Sequence, residues 1–537
     1  MHKKLISALL VTALLSGCQA PVDMPEQNVV EASGMADTTE TGQVEEMSET
    51  ETEVDDQSSN MVSDKAFLLE TDMNGVTQAD LDHYTITAVL DAEAKRLACE
   101  QTLVYKNKED QALEEVVIQV LPNAYRTVES APVLFGDIDS IYPNGFAPGF
   151  IDFASVKLEG QGVDYTLYGD DETLMKITFD QPLEVGDTIK LDMVYDVQIP
   201  PAYDRFGYND STFNIANWYP VAAVYDESGW NEDGYLAVGD PFYTDMGVYS
   251  ITYDVPESYE IASTGVRTSE VIENGRKRVH YSAEFVRDSA WLTSDQWQVH
   301  VEEVEGTMIR SYYFGEFSFP EQKAVDAARD SIKSFNRIFG PYPYSELSVV
   351  ATDFPSGMEY PTLVMIAKDR YKSARMNALE SVIAHEIGHQ WWYGVVGNDQ
   401  IDEAWLDESL TVFSTAMYYG EVYGDDAYRS YVESYRNSYQ RRKVDDGNGV
   451  VVKPLTEFAS WSDYSNLVYR KGMLFIDALR DEYGKESVLE FMQKYYARYK
   501  FKTASTEKFL DLGKEHFGES FDALVDVWLY NTGNVSN

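Results

Sequence analysis

The sequence predicts a multidomain protein in which a mostly antiparallel β domain precedes an α+β domain. Its 537 residues are enough for two or three domains with sizeable cores. Between about residue 80 and residue 300, short strand-like runs alternate with turn signals, whereas later stretches have the apolar spacing of helices. We therefore expect a β domain over residues 66–299 and an α+β domain over residues 300–537.

Strand-like runs define the first domain. They are separated by Pro-Asn, Asn-Gly and Gly-Asp clusters, which are turn signals. Examples of the runs are His83 to Leu90, Glu115 to Leu121, Ile189 to Val194 and Gly247 to Tyr253. Cys99 lies in another such run, where we expect a small core residue without a disulfide partner.

Helical spacing defines the second domain. Apolar residues recur at helical intervals over Lys323 to Phe339, and helices are expected from Asn377 to the end. Two strands, Leu347 to Ala351 and Thr362 to Ala367, are predicted between these stretches. The second domain should therefore combine a small sheet with a majority of helices.

The first eighteen residues have the pattern of an export signal. Lys3 and Lys4 precede an apolar run, Leu5 to Leu15, that is too short to span a membrane as a mature helix. The run ends in Leu-Ser-Gly-Cys18, which resembles the bacterial lipobox, whose cysteine is lipidated. We expect residues 1–18 to be a lipoprotein signal peptide, so that the exported chain is anchored through Cys18 and faces outward from the bacterial cell membrane. An ordinary secretory signal with an incidental cysteine is the alternative.

Residues 19–65 are predicted to form a disordered acidic tether. From Gln19 to Asp64 the chain contains no Lys, Arg, Trp, Tyr or Phe. Low hydrophobicity with charge of one sign does not offset the entropy of ordering. Such a segment would hold the folded part away from a membrane surface.

The net charge of −49 argues against a nucleic-acid partner, because phosphates require basic contacts. An acidic surface is compatible with cationic peptides and with high salt, and it does not choose between them.

The α+β domain contains a metal-binding pattern. Residues 385 to 389 read His-Glu-Ile-Gly-His, and Glu408 follows within Trp-Leu-Asp-Glu-Ser. His385 and His389 stand at i and i+4, so both imidazoles project from one face of a helix. Two neutral histidines and a carboxylate are ligands of catalytic zinc, with the fourth position left to water. Glu386 can reach that water without binding the metal. We predict one Zn²⁺ held by His385, His389 and Glu408.

Two histidines at helical spacing more often form a surface pair, and a lone H-E-x-x-H arises by chance. Here only seven histidines are present, and two of them fall in this pattern. Apolar residues at helical spacing precede the pattern, and two tryptophans follow it: Ala378, Leu379, Val382, Ile383, Trp391 and Trp392. A second helix from about Trp405 would carry Glu408 back toward the histidines. The flanking sequence thus favours a buried metal site.

Two further motifs give the chain a family resemblance. Gly357-Met358-Glu359-Tyr360-Pro361 precedes a predicted strand, and Val468-Tyr469-Arg470-Lys471-Gly472 opens a late helix. Together with H-E-x-x-H-x18-E, they resemble the zinc aminopeptidases of the aminopeptidase N and leukotriene hydrolase family, a group of gluzincin metallopeptidases. The resemblance implies a saddle-like N-terminal β domain followed by a thermolysin-like catalytic domain.

The resemblance also implies roles for individual residues. Glu386 would be the general base, and the Tyr469 hydroxyl would stabilise the oxyanion of the tetrahedral intermediate. Glu359 would hold the α-ammonium group of the substrate, beside Gly357 and Met358 as further substrate-binding residues. The alternatives are that Tyr469 is a packed aromatic and Glu359 a solvated carboxylate. In the β domain, Asn217 is a weaker candidate for substrate contact.

The chain departs from the family pattern at three places. Tyr360 stands where the motif usually continues with Asn, so that one amide contact to substrate is in doubt. The third ligand lies in Trp-Leu-Asp-Glu-Ser, against the usual Trp-Leu-Asn-Glu-Gly. The sequence ends at Asn537, where the catalytic domain of the family ends, and we expect that the C-terminal helical domain of many relatives is lacking.

These observations predict a lipid-anchored zinc aminopeptidase that acts on peptides with a free N-terminus outside the cytoplasm. The sequence does not predict an oligomeric state. A thermolysin-like endopeptidase is one alternative. A non-catalytic peptide-binding lipoprotein is the other, although Glu386 and all three ligands are present.

Overall fold

The protein is described by a computed structural model over residues 66–133, 137–442 and 449–532. The predicted signal peptide, with Cys18, and the predicted tether over residues 19–65 lie outside the described residues. In the described part, no helix has both the length and the apolar character needed to cross a membrane.

The first part of the described chain is built from strands, with one short α-helix and the 3₁₀-helical turns Gln78–Asp80 and Leu121–Tyr125. The strands are β1 Asp82–Asp91, β2 Arg96–Lys106, β3 Leu113–Gln119, β4 Phe150–Leu158, β5 Gln161–Gly162, β6 Thr166–Tyr168, β7 Leu174–Leu183, β8 Thr188–Gln198, β9 Phe206–Tyr208, β10 Phe213–Ile215, β11 Val221–Ala222, β12 Tyr225–Asp226, β13 Gly229–Trp230, β14 Gly247–Pro256, β15 Glu260–Ser263, β16 Val266–Glu273, β17 Arg276–Val286 and β18 Trp291–Ser294, and the helix is α1 Ile138–Ile141.

Within the described residues, these strands form an eight-stranded sheet, two four-stranded sheets and a hairpin. The large sheet has the order β16-β17-β14-β1-β2-β8-β4-β5, and its pairs are antiparallel except for β1 with β14. Side chains alternate between buried and exposed along β1, because successive residues of a strand point to opposite faces. Cys99 is buried in β2, as predicted for a core residue.

The second part combines a small sheet with helices. Its elements are β19 Trp297–Val304, β20 Thr307–Phe314, α2 Phe319–Ile338, β21 Glu346–Thr352, β22 Gly357–Met358, β23 Leu363–Ala367, α3 Met376–Gly388, β24 Val396–Gly397, α4 Trp405–Tyr423, α5 Asp425–Arg441, α6 Trp461–Tyr464, the π-helical segment Ser465–Gly472, α7 Met473–Tyr483, α8 Lys485–Tyr499, β25 Lys502–Thr503, α9 Thr506–Phe517 and α10 Phe521–Trp528.

The order of a β part followed by an α+β part confirms the predicted fold class. The five-stranded sheet of the second part runs β19-β20-β21-β23-β22, so that its first strand contains the predicted limit between residues 299 and 300. The domain limits themselves stay a prediction.

Local sequence explains where the long helix α2 begins. Ser318 and Glu321 form a capping box, in which the backbone N–H of Ser318 donates to the Glu321 carboxylate at 3.0 Å. Pro320 occupies the first turn, where its missing N–H costs no helical hydrogen bond. The helix lies beside α3, the helix of the metal-binding pattern.

Polar contacts join the two parts near the edge strand β22. Asn214 accepts a hydrogen bond from the Thr352 hydroxyl at 2.6 Å, and Gly265 N–H donates to the Thr362 hydroxyl at 2.9 Å. Apolar residues of both parts also belong to one continuous core. The β part therefore packs directly against the sheet edge that carries the Gly-Met-Glu motif.

Candidate active site

Helix α3 carries the predicted metal-binding pattern into the interior. His385 and Glu386 lie in its last turn, and His389 is the residue that caps it. Glu408 lies in the first turn of α4. Exposure is 9% for His385 and at most 3% for the other three, so the site is excluded from bulk water.

The three predicted ligands converge to a triangle of donor atoms. His385 Nε2 lies 3.2 Å from His389 Nε2, and Glu408 Oε2 lies 3.2 Å and 3.4 Å from these two atoms. Zinc binds nitrogen and oxygen at about 2.0–2.2 Å, which makes the edges of a tetrahedral site about 3.3–3.6 Å. The donor set and its spacing therefore fit one zinc ion, as predicted.

The surroundings of His389 fix which nitrogen faces the cation. Its Nδ1 lies 3.1 Å from the Trp392 carbonyl and 3.2 Å from the Thr411 hydroxyl. A proton on Nδ1 donated to that carbonyl leaves Nε2 free to bind a metal. Thr411 and the Trp392 backbone thus orient the second ligand.

The three predicted ligands have opposed pKa shifts. Burial lowers the pKa of His385, which keeps that ring neutral. Burial also disfavours the charged form of His389, but the charges of Glu359 and Glu408 outweigh it and raise the pKa of His389 well above its usual value. For Glu408, the two histidines outweigh burial and lower the pKa to about 2. The triad is thus built around a negative carboxylate.

Glu386 lies beside the triad without belonging to it. Burial raises the pKa of its carboxyl well above the usual range, although His389 opposes that shift. Its Oε1 has no hydrogen-bond partner in the described structure. Gly357 lies so close that an added Cβ would be 2.8 Å from Glu386 Cγ and nearer still to the carboxylate. Only a glycine at this point of β22 leaves the carboxylate its present position.

Glu359 follows β22 and is buried, with 4% exposure, so the alternative of a solvated carboxylate is wrong. Burial, with the charge of Asp240, raises its pKa well above the usual range. Its backbone is held by the turn that follows α3, because the Gln390 side chain donates to the carbonyls of Glu359 and Tyr360 at 3.4 Å and 3.1 Å. Ligand atoms of Glu359, Glu386 and His389 all lie within 4.8 Å of one another.

Tyr469 reaches the same centre from the π-helical segment. Its hydroxyl donates a hydrogen bond to Glu408 Oε1. Its ring stacks on that of His385 with centroids 6.0 Å apart. The predicted oxyanion donor therefore touches a predicted metal ligand, and its catalytic role stays a prediction.

The β part contributes a buried ion pair that the sequence analysis did not single out. Arg205 Nη2 donates to the Asp240 carboxylate and, at 3.3 Å, to the Gly239 carbonyl. Arg205 Nε lies 3.0 Å from Met358 Sδ, next to Glu359. None of the motifs described above contains Arg205 or Asp240, and their pairing depends on the tertiary fold.

Asn217 lies behind the motif and is 7% exposed. Its Oδ1 accepts a hydrogen bond from the Tyr360 hydroxyl at 3.1 Å, and its Nδ2 donates to Asp288 at 3.3 Å. The unusual Tyr360 is thus anchored to the β part through Asn217. A role of Asn217 in substrate contact stays a prediction.

The fold and the site together define a two-domain metallopeptidase fold with a His-His-Glu zinc site. Residues 323–528 match the family described as Peptidase family M1 domain. This part of the chain is therefore similar to M1 peptidase domains, in agreement with the predicted resemblance.

Curated relatives match parts of the chain. It is 27% identical over 215 residues to leukotriene A-4 hydrolase of Xenopus laevis, covering 38% of this chain and 35% of the relative. It is 27% identical over 221 residues to human (Homo sapiens) aminopeptidase B, covering 38% and 34%. It is 23% identical over 407 residues to aminopeptidase M1-C of Oryza sativa subsp. japonica, covering 71% and 45%. The chain thus spans less than half the length of these relatives.

Solved structures match more of the chain. The M1 zinc metallopeptidase from Deinococcus radiodurans aligns with a TM-score of 0.62 and 17% identity over 85% of this chain and 95% of that chain. A variant of that enzyme bound to a Tyr-Ser-Ala substrate aligns with a TM-score of 0.60 and 16% identity over the same shares. These likenesses confirm the predicted fold, a β domain followed by a zinc-peptidase domain.

Proposed function

We propose that this protein is a zinc-dependent aminopeptidase that removes N-terminal residues from short peptides. The observation that carries the proposal is the buried Glu359 carboxylate beside His389 and Glu386, within one cluster with the ligand triangle. A fixed anion at that point favours a substrate whose charged N-terminus lies next to the metal site, and so places the first peptide bond at the reacting groups. The variant of the Deinococcus radiodurans enzyme bound to a Tyr-Ser-Ala substrate supports peptides of such length.

The balance of charges in the site supports two cationic occupants. Four buried carboxyl groups interact electrostatically in the site: Glu359, Glu386, Glu408 and Asp240. The charges of Asp240 and Glu408 contribute to the raised pKa of Glu359. Arg205 acts electrostatically on Glu386, but it already pairs with Asp240. Carboxylates this deeply buried need positive partners. A divalent ion at the triad and a substrate ammonium group at Glu359 supply them.

Glu386 is the proposed general base. Zinc held by His385, His389 and Glu408 would supply a Lewis acid and a more acidic water at this point. The raised pKa of Glu386 suits a group that accepts a proton from the attacking water and returns it to the leaving amine at neutral pH. Its Oε1 has no partner within the described residues, so it can accept that proton without breaking another hydrogen bond.

Tyr469 is the proposed donor to the developing oxyanion. Its hydroxyl donates to Glu408 Oε1, at the edge of the triad, and its ring is held against His385. A small rotation of the phenol transfers the same hydrogen bond to an oxygen beside the metal site. Tyr469 thus stabilises negative charge that appears only during the reaction.

A panel of aminoacyl anilides, each with a free and an N-acetylated amine, tests the proposal. We expect hydrolysis of the free-amine compounds, complete loss after chelation, and recovery with zinc. The Glu386→Gln variant is the matched control for contaminating peptidases and should keep zinc while losing roughly a hundredfold or more in kcat. Cleavage of blocked peptides at internal bonds would instead indicate the thermolysin-like endopeptidase. A zinc-loaded protein without any turnover would indicate the peptide-binding lipoprotein.

We also propose export and lipid anchoring through Cys18. The support is the sequence alone, namely the basic start, the short apolar run and the lipobox-like ending. Replacing Cys18 with Ala should move the protein from the membrane fraction to the soluble exported fraction of the cells. An unchanged membrane fraction would refute the anchor.

A further inference from the structure

The segment that carries Tyr469 is a π-helix. It covers Ser465–Gly472, between α6 and α7. Single π-helical turns are rare, and they often lie at functional sites. A π-helical turn is wider than an α-helical turn and therefore changes the direction in which Tyr469 projects. We therefore expect a specific contact that stabilises the π-helical turn relative to an α-helical one.

Ser409 supplies such a hold. It directly follows the ligand Glu408, it is fully buried, and its hydroxyl donates to the Val468 carbonyl at 2.8 Å. Val468 directly precedes Tyr469, and the nearby N–H of Met473 donates to the Arg470 carbonyl. One side chain of α4 therefore bonds the backbone next to Tyr469, while the preceding residue of α4 accepts the Tyr469 hydroxyl.

Gly472 makes this contact sterically possible. A Cβ on Gly472 would lie 2.9 Å from Ser409 Cβ and nearer still to its hydroxyl, whereas the next atom, Val451 Cγ1, is 3.6 Å away. The π-helical segment therefore approaches α4 closely at one point, and that point is Ser409. The serine stands where the resembled pattern usually has glycine.

We propose that Ser409 is a positioning residue, which through its hydrogen bond to the Val468 carbonyl holds the Tyr469 hydroxyl at Glu408. This inference rests on the proposed role of Tyr469. Ser409 itself lies beneath the backbone of the segment and donates its proton to that backbone. Its effect should therefore be expressed only through Tyr469.

A double-mutant cycle between Ser409→Ala and Tyr469→Phe tests the proposal in the zinc-loaded protein. We expect Ser409→Ala alone to lower kcat about tenfold, to change KM less than about twofold and to leave the zinc content unchanged. In the Tyr469→Phe background, it should change kcat less than about twofold, because there is no hydroxyl left to position. If the double variant instead loses kcat by the product of the two single losses, the two residues act independently and the proposal is overturned.

Two further variants separate the hydrogen bond from packing. Gly472→Ala should lower kcat, because its new methyl group would displace Ser409. The double variant Ser409→Gly/Gly472→Ala should have the same kcat as Ser409→Gly alone, because the Ser409 atoms that clash with the methyl group are then absent. Thr415→Val, which removes a buried hydroxyl that donates to the Thr411 carbonyl of the same helix, is the control. It should lower the melting temperature and leave kcat unchanged.

Crystal structures of the zinc-loaded wild type and Ser409→Ala give a readout that does not depend on activity. We expect the Tyr469 hydroxyl to leave Glu408 in the variant. An unmoved tyrosine overturns the positioning role even if the peptidase activity is real. A displaced tyrosine in a protein without peptidase activity refutes the proposed function while leaving the positioning intact.

Discussion

Gly357→Ala is a small change in the chain for which the structure predicts a large loss of activity. The added Cβ would lie 2.8 Å from Glu386 Cγ and closer to its carboxylate. Carbon atoms in contact prefer about 3.5–4.0 Å, so the carboxylate must move by about 1 Å. Glu386 is at the end of a buried helix, which leaves the side chain rather than the backbone to move.

The expected loss follows from that displacement. A reacting group misplaced by about 1 Å costs about a hundredfold in rate, and a general base contributes about a hundred- to ten-thousandfold in total. We therefore expect kcat/KM to fall about 30- to 300-fold, mainly through kcat, with normal zinc content.

The assay is steady-state hydrolysis of a free-amine anilide, with zinc content measured on the same sample. Gly162→Ala is the control, because an added Cβ there has no neighbour within 4 Å, and its activity should equal that of the wild type. Glu386→Asp shortens the acid and relieves the clash, so adding Gly357→Ala to it should cause little further loss. If the two losses multiply, Gly357 acts on the substrate rather than on Glu386, and the steric reasoning is refuted.

Three further predictions concern charges. Glu359→Ala should raise KM for free-amine substrates about ten- to a hundredfold and leave N-acetylated compounds unaffected, as stopped assays of both would measure; equal effects contradict the ammonium role. Because the pKa of His389 is raised, zinc must displace a proton from this histidine when it binds, so the zinc affinity should rise with pH above 6.5. The affinity would be measured by competition with a chelator at several pH values. An affinity that does not change with pH would contradict this prediction. Burial raises the pKa of Asp288 from 3.8 to about 6. Between these values the folded state binds more protons, so stability falls as pH rises, by about 3 kcal/mol in total. Urea unfolding at pH 4 and pH 7 should show this loss of unfolding free energy in the wild type and not in Asp288→Asn. The same pH dependence of the unfolding free energy in both proteins would contradict the assignment to Asp288.

The metal triad was predictable because its geometry is local. Helical spacing alone places His385 and His389 on one face, and a helix that begins at Trp405 brings Glu408 into its first turn. Glu359 was also found, but only through its motif. Its burial depends on packing between β22 and the β part, which no short stretch of sequence encodes.

The parts that escaped prediction depend on contacts across long sequence separations. Arg205 and Asp240 come from loops of the β part, and only the fold places the arginine at Met358. Apolar spacing predicted a helix around Tyr469 but does not distinguish a π-helical turn from an α-helical one. Likewise, alternation identified β1 and β14 as strands without indicating that they pair in parallel.

Two residues that depart from the family pattern, Tyr360 and Ser409, are explained by what they contact. Tyr360, in place of Asn, donates its hydroxyl to Asn217, which in turn is bound to the buried Asp288. Ser409, in place of Gly, donates to the carbonyl beside Tyr469. In each case the residue that replaces the usual one forms a hydrogen bond next to the motif. That bond holds the backbone that carries a predicted site residue. A bond of this kind contributes about 1 kcal/mol, and its loss would leave a buried polar group unpaired. The functional groups on α3, β22 and the π-helical segment are thus held by polar contacts from neighbouring elements, which is why changes away from the reacting atoms are expected to alter kcat.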